Sequence, residues 1–184
     1  MLEGERVRLR GLTRDDLPRL HEFNNDLETE LLGGGDPPTP QSLARLQAEF
    51  DQEASKGGRD GMRFAIEAGT EFIGHCALFN VNSTAHTCEL GITIGDKKYR
   101  GKGYGSESIR LLVEYAFRYQ SFRKVWLNVH ATNDRAVRAY QSCGFVEEGR
   151  LRAHVWSNGT YGDVLVMGLL REEWRATKAA QPPA

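Results

Sequence analysis

Apolar and polar residues alternate over several short stretches of the chain, as they do in half-buried β-strands. Val7 and Leu9 alternate with three arginines, which predicts a strand within residues 5–12. The same pattern predicts further strands at residues 63–67, 72–79 and 88–94. Because only short polar loops separate these three strands, antiparallel hairpins are expected between them.

Other stretches repeat their apolar residues at helical spacing. Helices are predicted at residues 14–27, 41–56 and 134–142, and a fourth helix follows a glycine-rich turn at residues 100–105. Thr13 is the expected N-terminal cap of the first helix, and Gly57-Gly58 is the expected end of the second.

The second half of the chain alternates between the two element types. Strands are predicted at residues 124–129 and 145–151, and Asn158-Gly159 predicts the turn of a final hairpin. Antiparallel strands, then strand–helix–strand–helix–strand and a hairpin, indicate one mixed α/β domain. We expect this domain to span residues 1–175 and to be followed by a flexible tail at residues 176–184.

Composition narrows the class of protein further. The 184 residues suit a single domain, and a formal net charge of −1 does not indicate nucleic-acid binding. The chain has three cysteines, an odd number that does not suit a set of disulfides, and no two of them are spaced as a C-x-x-C pair. This indicates a reducing compartment. The charged N-terminus does not resemble a signal peptide, and no apolar run is long enough to cross a membrane. We therefore expect a cytoplasmic protein that binds neither membrane nor nucleic acid.

A glycine-rich segment, Arg100–Ser106 (RGKGYGS), lies between a predicted strand and a predicted helix. Glycines allow the backbone to turn tightly and approach a ligand, while the free amides of a helix N-terminus attract phosphate. A tight turn without a ligand is the alternative. The segment does not contain the P-loop pattern G-x-x-x-x-G-K-[ST]. It also does not fit the dinucleotide fingerprint G-x-G-x-x-G, because Ser106 occupies the position of the last glycine.

Two ordered blocks carry a family resemblance. The first is R-x-x-G-x-G, at Arg100, Gly103 and Gly105; the second is N-x-x-A-x-x-x-Y-x-x-x-G-F, at Asn133, Ala136, Tyr140, Gly144 and Phe145. The chain thereby resembles the GCN5-related N-acetyltransferase (GNAT) family over residues 5–170. The run Glu89-Leu90-Gly91 and residues 144–149 and 156–163 look like the branch that contains RimJ, RimL and spermidine N-acetyltransferases.

The resemblance implies a fold, a cosubstrate and a reaction. The fold is a mostly antiparallel central sheet flanked by helices, with a splayed strand pair that holds acetyl-CoA. The reaction is transfer of the acetyl group to a primary amine by direct attack on the thioester, without a metal. The implied cofactor-binding residues are Ile92, Thr93, Ile94, Arg100, Gly101, Lys102, Gly103, Tyr104, Gly105, Ser106, Asn133, Ala136 and Tyr140.

The implied catalytic residues are Tyr140 and Glu89. Tyr140 aligns with the family's general acid, which protonates the departing thiolate; its alternative role is that of a packed helix tyrosine. Glu89 is a candidate base, or else a solvated or paired strand carboxylate. A base matters most for an amine with a pKa near 10.4, since forming the neutral nucleophile at pH 7 then costs about 4.6 kcal/mol. Asn133 is expected to cap the helix that follows it, and this role alone would explain an asparagine at the position. The alternative is that Asn133 also forms a hydrogen bond with the cofactor.

The acceptor amine is left open between a small amine or polyamine and a protein or peptide N-terminus. Asp26, Glu28, Glu30 and Asp36 are candidates to bind a cation, although a solvated acidic face has the same composition. The neighbouring segment at residues 31–38 lacks the aromatic residues of the spermidine branch, and its glycines could form a lid over a larger acceptor. A homodimer is expected, and a catalytically idle acyl-CoA-binding module is the alternative to an enzyme.

Overall fold

The computed structural model describes residues 1–33, 38–55 and 61–179, and eight of its strands form one sheet in the order β1-β2-β3-β4-β5-β6-β8-β7. The strands are β1 (Leu2–Glu3), β2 (Arg8–Gly11), β3 (Met62–Ala68), β4 (Glu71–Asn82), β5 (Thr87–Ile94), β6 (Lys124–His130), β7 (Val146–Ser157) and β8 (Thr160–Leu170). The helices are α1 (Leu17–Asn24), α2 (Leu27–Gly33), α3 (Leu43–Ser55), α4 (Tyr104–Glu114), α5 (Asp134–Ser142) and α6 (Arg171–Ala179). The predicted mixed α/β class is confirmed.

The sheet forks between β5 and β6. These two strands form the parallel pair of the sheet, and they are paired only from Thr87 to Glu89 on β5. Beyond the fork, β5 remains paired with β4 up to Ile94, while β6 remains paired with β8 up to His130. Among the described residues, the edge of β5 that faces β6 therefore has no strand partner from Leu90 onward.

Helices cover both faces of the sheet because each strand carries apolar residues on alternate sides. The larger core lies under α4 and α5, where Leu112 and Tyr140 belong to the same buried cluster as Leu90 and Leu127 of the sheet. The smaller core lies under α1 and α3 on the opposite face, around Leu20 and Leu46. A π-helical turn at Tyr115–Tyr119 follows α4.

The first predicted helix is divided in the structure. A 3-10 turn at Arg14–Asp16 leads into α1, and α2 is a separate helix where the sequence predicted a loop. Asp26 explains the break, since its Oδ1 accepts hydrogen bonds from the backbone N–H and the hydroxyl of Thr29 at 2.9 and 2.6 Å. It thus acts as an N-terminal cap for α2. The sequence alone indicated Asp26 only as a cation-binding acid or as part of a solvated acidic face, and did not identify this role.

The C-terminal hairpin has the predicted turn, with positive φ at both Asn158 (48°) and Gly159 (81°). Helix α6 continues to Ala179, so residues 176–179 are helical where a flexible tail was predicted. Trp174 anchors this helix against Phe117, with ring centroids 5.6 Å apart. Residues 34–37, which include Asp36, and residues 180–184 lie outside the described residues. So does Gly57-Gly58, the predicted end of the second helix, and that prediction is therefore not tested.

No helix within the described ranges is long and apolar enough to span a membrane.

Candidate functional site

A cavity of about 370 Å³ lies at the open end of the fork, enclosed by α2, the end of β5, the glycine-rich loop and α5. Most of the residues predicted to bind the cofactor line it: Ile92, Thr93, Ile94, Arg100, Gly101, Gly103, Gly105, Ser106, Asn133, Ala136 and Tyr140. Lys102, Tyr104 and Glu89 are not among the lining residues. One cavity therefore brings together the two sequence blocks, which are about thirty residues apart in the chain.

The glycine-rich loop turns through two residues with positive φ, Gly101 (71°) and Gly103 (87°). Gly103 is the residue that precedes the first turn of α4, and its carbonyl accepts the N–H of Glu107. The earlier amides of α4 have no partner within the helix, and together with the helix dipole they favour an anion at this end of the cavity.

The loop is held from behind by the N-terminal segment. Arg6 donates from its Nε to Glu107 at 2.9 Å and from its Nη1 to the carbonyl of Lys102 at 2.9 Å. Glu107 also accepts the backbone N–H of Arg6 at 2.8 Å. Tyr104 packs edge-on against Tyr99, with ring centroids 5.0 Å apart, and its own side chain is not among those that line the cavity. Lys102 and Tyr104 thus belong to the support of the loop rather than to the cavity wall.

Arg100 donates three hydrogen bonds to oxygens of the described residues and also lies 3.8 Å from the Glu28 carboxylate. Its guanidinium donates to the carbonyls of Ile94 and Gly95 at 2.8 and 3.0 Å, and to the Thr29 hydroxyl at 2.6 Å. Only 8% of its side chain is exposed. Burial, and next the charge of Arg135, lower the pKa of Arg100. The side chain fastens the end of β5 to α2 while also lining the cavity.

Two further arginines, Arg135 and Arg138, line the cavity and were missed by the sequence analysis. They lie on α5 three residues apart, which places them on one side of the helix. The sequence could have indicated them, because both arginines lie within the second sequence block at a spacing of three residues. With Arg100 they make up the charged residues among the described lining residues, so this wall of the cavity is positive.

Asn133 caps α5, as predicted, by accepting the N–H of Ala136 at 3.2 Å. Its amide also donates to the carbonyl of Leu32 at 3.1 Å, which ties the end of α2 to the start of α5. The hydroxyl of Ser157 donates to the neighbouring carbonyl of Leu31 at 3.1 Å. Helix α2 is therefore connected to α5 and to the C-terminal hairpin, as well as to Arg100.

Tyr140 lies deep in the cavity wall, 7% exposed, with its ring edge-on to Phe145 at 5.8 Å. Its hydroxyl has no hydrogen-bond partner among the described residues. Burial, and to a smaller extent the nearby Cys143, raise the pKa of Tyr140. The phenol therefore keeps its proton at neutral pH and is available as a donor to a group inside the cavity.

Glu89 is the last residue of β5 that pairs with β6, and it is 7% exposed. Residues of β5 on either side of it pack into the larger core, so its side chain points to the opposite face of the sheet. Its Oε2 accepts the Asn80 amide at 2.7 Å, and its Oε1 accepts the Asn128 amide at 3.1 Å. The carboxylate lies at the vertex of the fork, outside the cavity lining.

The acidic residues proposed to bind a cation have different surroundings. Lys97 Nζ pairs with both Asp26 and Glu28 at 2.9 Å, and this contact, with the Thr29 hydrogen bonds, holds the pKa of Asp26 far below its usual range. Glu30 is half-buried without a partner among the described residues, and its burial raises its pKa. No cluster of metal-ligating side chains occurs in the portion of the chain that is described.

Comparison with known proteins agrees with these features. The acetyltransferase (GNAT) domain family matches residues 6–146. The spermidine N(1)-acetyltransferase of Vibrio cholerae is 30% identical over 172 residues, which cover 93% of this chain and 96% of that protein. The chain belongs to the GNAT acetyltransferase family. This confirms the predicted family, the predicted fold and the prediction of an N-acetyltransferase enzyme.

Two further similarities bear on substrates. A crystal structure of the Vibrio cholerae spermidine N-acetyltransferase with CoA and spermine superposes with a TM-score of 0.86 at 29% identity, and covers 94% of this chain and 99% of that one. A putative ribosomal N-acetyltransferase of Bacillus subtilis is 30% identical over 178 residues, or 95% of this GNAT chain and 97% of the relative. The names of these relatives therefore refer to a polyamine in one case and, as a putative assignment, to the ribosome in the other.

Proposed function

We propose that this GNAT protein binds acetyl-CoA in the cavity at the fork and acetylates a primary amine presented from the opposite face of the sheet. The observation that carries this is the meeting of three features in one cavity. These are the amide-rich start of α4, the unpaired edge of β5 and the Tyr140 hydroxyl. Each suits a different part of a long, phosphorylated thioester.

The residues present fit acetyl-CoA in its chemistry. Gly101, Gly103 and Ser106 at the helix start, with Arg135 and Arg138, are suited to a pyrophosphate group. Beyond Glu89, β5 has no partner strand on its β6 side among the described residues, so backbone groups there can pair with the amides of a pantetheine arm, as an added strand would. The Ile94 carbonyl at the end of β5 already accepts from Arg100.

Acetyl-CoA supplies an acetyl group activated as a thioester. Glu89 takes one proton from the acceptor ammonium, directly or through water, and the free nitrogen lone pair forms the new C–N bond as the C–S bond breaks. Tyr140 gives its proton to the leaving sulfur and is restored by the second proton that the nitrogen loses. The products are the acetamide, CoA and one proton released from Glu89 to water.

The acceptor is proposed to be a small amine of the polyamine class, as the Vibrio cholerae relative suggests. The unpaired, half-buried carboxylate of Glu30 supports a cationic acceptor, whereas Asp26 and Glu28 already share Lys97. A protein N-terminus is the second candidate, favoured by the putative ribosomal N-acetyltransferase among the relatives. We also propose that the chain belongs to the RimJ/RimL-like branch, forms a homodimer and acts in the cytoplasm.

A thiol-release assay with acetyl-CoA tests the proposal. The acceptors are spermidine, spermine, an aminoglycoside, free amino acids and peptides that begin with Ser, Ala or Met. We expect turnover with spermidine or spermine, and turnover with peptides alone would assign the second candidate. No turnover with any acceptor, together with no thermal stabilisation by acetyl-CoA, would refute the proposed function.

Tyr140→Phe tests the acid. The hydroxyl is lost while the packing against Phe145 is kept, so we expect kcat to fall at least tenfold, in the range of general-acid contributions. Tyr119→Phe is the matched control, since Tyr119 is 60% exposed on the turn after α4. Equal rates for wild type and Tyr140→Phe would assign protonation of the sulfur to water or to the ammonium.

A further inference from the structure

Asn80 has an unusual backbone conformation for a residue within a strand. It lies in β4 with φ at 47°, in the left-handed region, and the register of β4 with β5 shifts between Phe79 and Asn82. Such bulges redirect a side chain, and among non-glycine residues asparagine tolerates this conformation best. The redirected side chain is the one whose amide reaches the Glu89 Oε2 at 2.7 Å.

A second amide reaches the same carboxylate from the other side. Asn128 lies on β6, the strand that diverges from β5 at Glu89, and donates to the Glu89 Oε1 at 3.1 Å. The two strands that flank β5 thus supply one donor to each oxygen. The carboxylate is held at the point where the pairing of β5 with β6 ends and the two strands diverge.

The chemistry of these partners is informative. No arginine or lysine among the described residues forms an ion pair with Glu89, although it is a buried carboxylate. Two neutral amides instead satisfy one acceptor position on each oxygen, and a carboxylate has about four such positions. The remaining positions stay available for a proton, and no lysine or arginine within residues 1–33, 38–55 and 61–179 competes for the negative charge.

We propose that Asn80 and Asn128 are positioning residues that orient the Glu89 carboxylate to accept the proton of the acceptor amine. This rests on the proposed function, in which Glu89 is the base. The strained conformation of Asn80 has a role under this proposal, because an ordinary extended residue at this point of β4 would direct its side chain elsewhere.

The test combines single and double variants of the full chain. Asn80→Gly removes the amide and accepts the positive φ without strain, and Asn128→Ala removes the second donor. Asn158→Gly is the matched control, since Asn158 has the same φ of about 48° in the exposed hairpin turn. Glu89→Gln, alone and combined with Asn80→Gly, reports whether the asparagine acts through the carboxylate.

We expect Asn80→Gly and Asn128→Ala each to lower kcat about tenfold on the acceptor that gives turnover, with an unchanged shift with acetyl-CoA and a melting temperature lowered only by the several degrees that one lost hydrogen bond to a charged group accounts for. We expect Asn80→Gly to add less than twofold to the loss in Glu89→Gln, and Asn158→Gly to match wild type. An equal loss from Asn80→Gly in both backgrounds, or full activity of either asparagine variant or of Glu89→Gln, would overturn the positioning role. Failure of wild type with every acceptor would instead refute the proposed function, on which the inference rests.

Discussion

Thr29→Val tests how firmly α2 is fastened over the cavity. Thr29 is 7% exposed, and its hydroxyl donates to Asp26 and accepts from Arg100, with both distances at 2.6 Å. Valine has nearly the same shape, so the change removes two hydrogen bonds without leaving a void. Both partners are charged, which makes these bonds stronger than bonds between neutral groups.

The magnitude follows from what each partner retains. Hydrogen bonds to charged groups contribute about 1.5–3 kcal/mol each. Asp26 keeps Lys97 and the Thr29 backbone N–H, and Arg100 keeps two carbonyls, so neither charge is left unpaired. The lower end of the range applies to both bonds, and the free energy of unfolding is expected to fall by about 3 kcal/mol. For a chain of this size the melting temperature should fall by about 6–12 °C.

Urea unfolding monitored by circular dichroism measures the loss, and hydrogen exchange locates it. Amides of α2 should exchange faster in Thr29→Val, while those of the central strands keep their relative order of protection. Thr177→Val is the matched control, because the Thr177 hydroxyl donates to the Glu173 carbonyl in the exposed helix α6. A loss for Thr29→Val within about 0.5 kcal/mol of the control would refute the fastening of α2 by this hydroxyl.

Two further predictions concern other contacts around the site. Gly103→Ala places a Cβ 3.0 Å from the Arg6 guanidinium at a φ of 87°, and this conformation costs about 1–2 kcal/mol for a residue with a side chain. The loop should therefore bind acetyl-CoA less well, and the thermal shift that acetyl-CoA produces should shrink. An unchanged shift would contradict the need for glycine at this position. Asp16 is buried, which raises its pKa, but hydrogen bonds from Arg10 and Thr13 outweigh this and lower it overall. Its stabilising effect is therefore present above the unfolded carboxyl's pKa of about 3.9 and is lost as the pH falls through the lower folded value. Urea unfolding of wild type and Asp16→Asn should differ by about 2 kcal/mol at neutral pH and converge in acid, whereas a constant difference would contradict this.

Local patterns predicted most of the fold. The bounds of α5 were obtained from the sequence because Asn133 caps it and its apolar face is regular. The hairpin turn was obtained because Asn158-Gly159 suits positive φ at both positions. Helix α2 was missed because its cap, Asp26, is specified by one side-chain contact in a segment without a clear apolar face.

The grouping of residues around the candidate cavity was predicted where sequence blocks define it, and it was missed where contacts between distant segments define it. The glycine-rich loop, Asn133 and Tyr140 meet in one cavity as expected. The connection of Arg100 to Thr29 spans 71 residues and could not be derived from spacing. The same holds for the hydrogen bonds from Asn80 and Asn128 to Glu89, because they depend on a bulge in one strand and the divergence of another.

The short pairing between β5 and β6 also divides the sheet into two units, one built from the first half of the chain and the other from the second half. Strands β1–β5 come from residues 2–94 and strands β6–β8 from residues 124–170, so each unit closes its own strand pairs locally. The two units are joined within the sheet by the three residue pairs that begin at Thr87 and Lys124. A ligand that pairs with the free edge of β5 and also contacts α5 would join the same two units a second time. Its binding would therefore couple their unfolding and make the whole domain more cooperative.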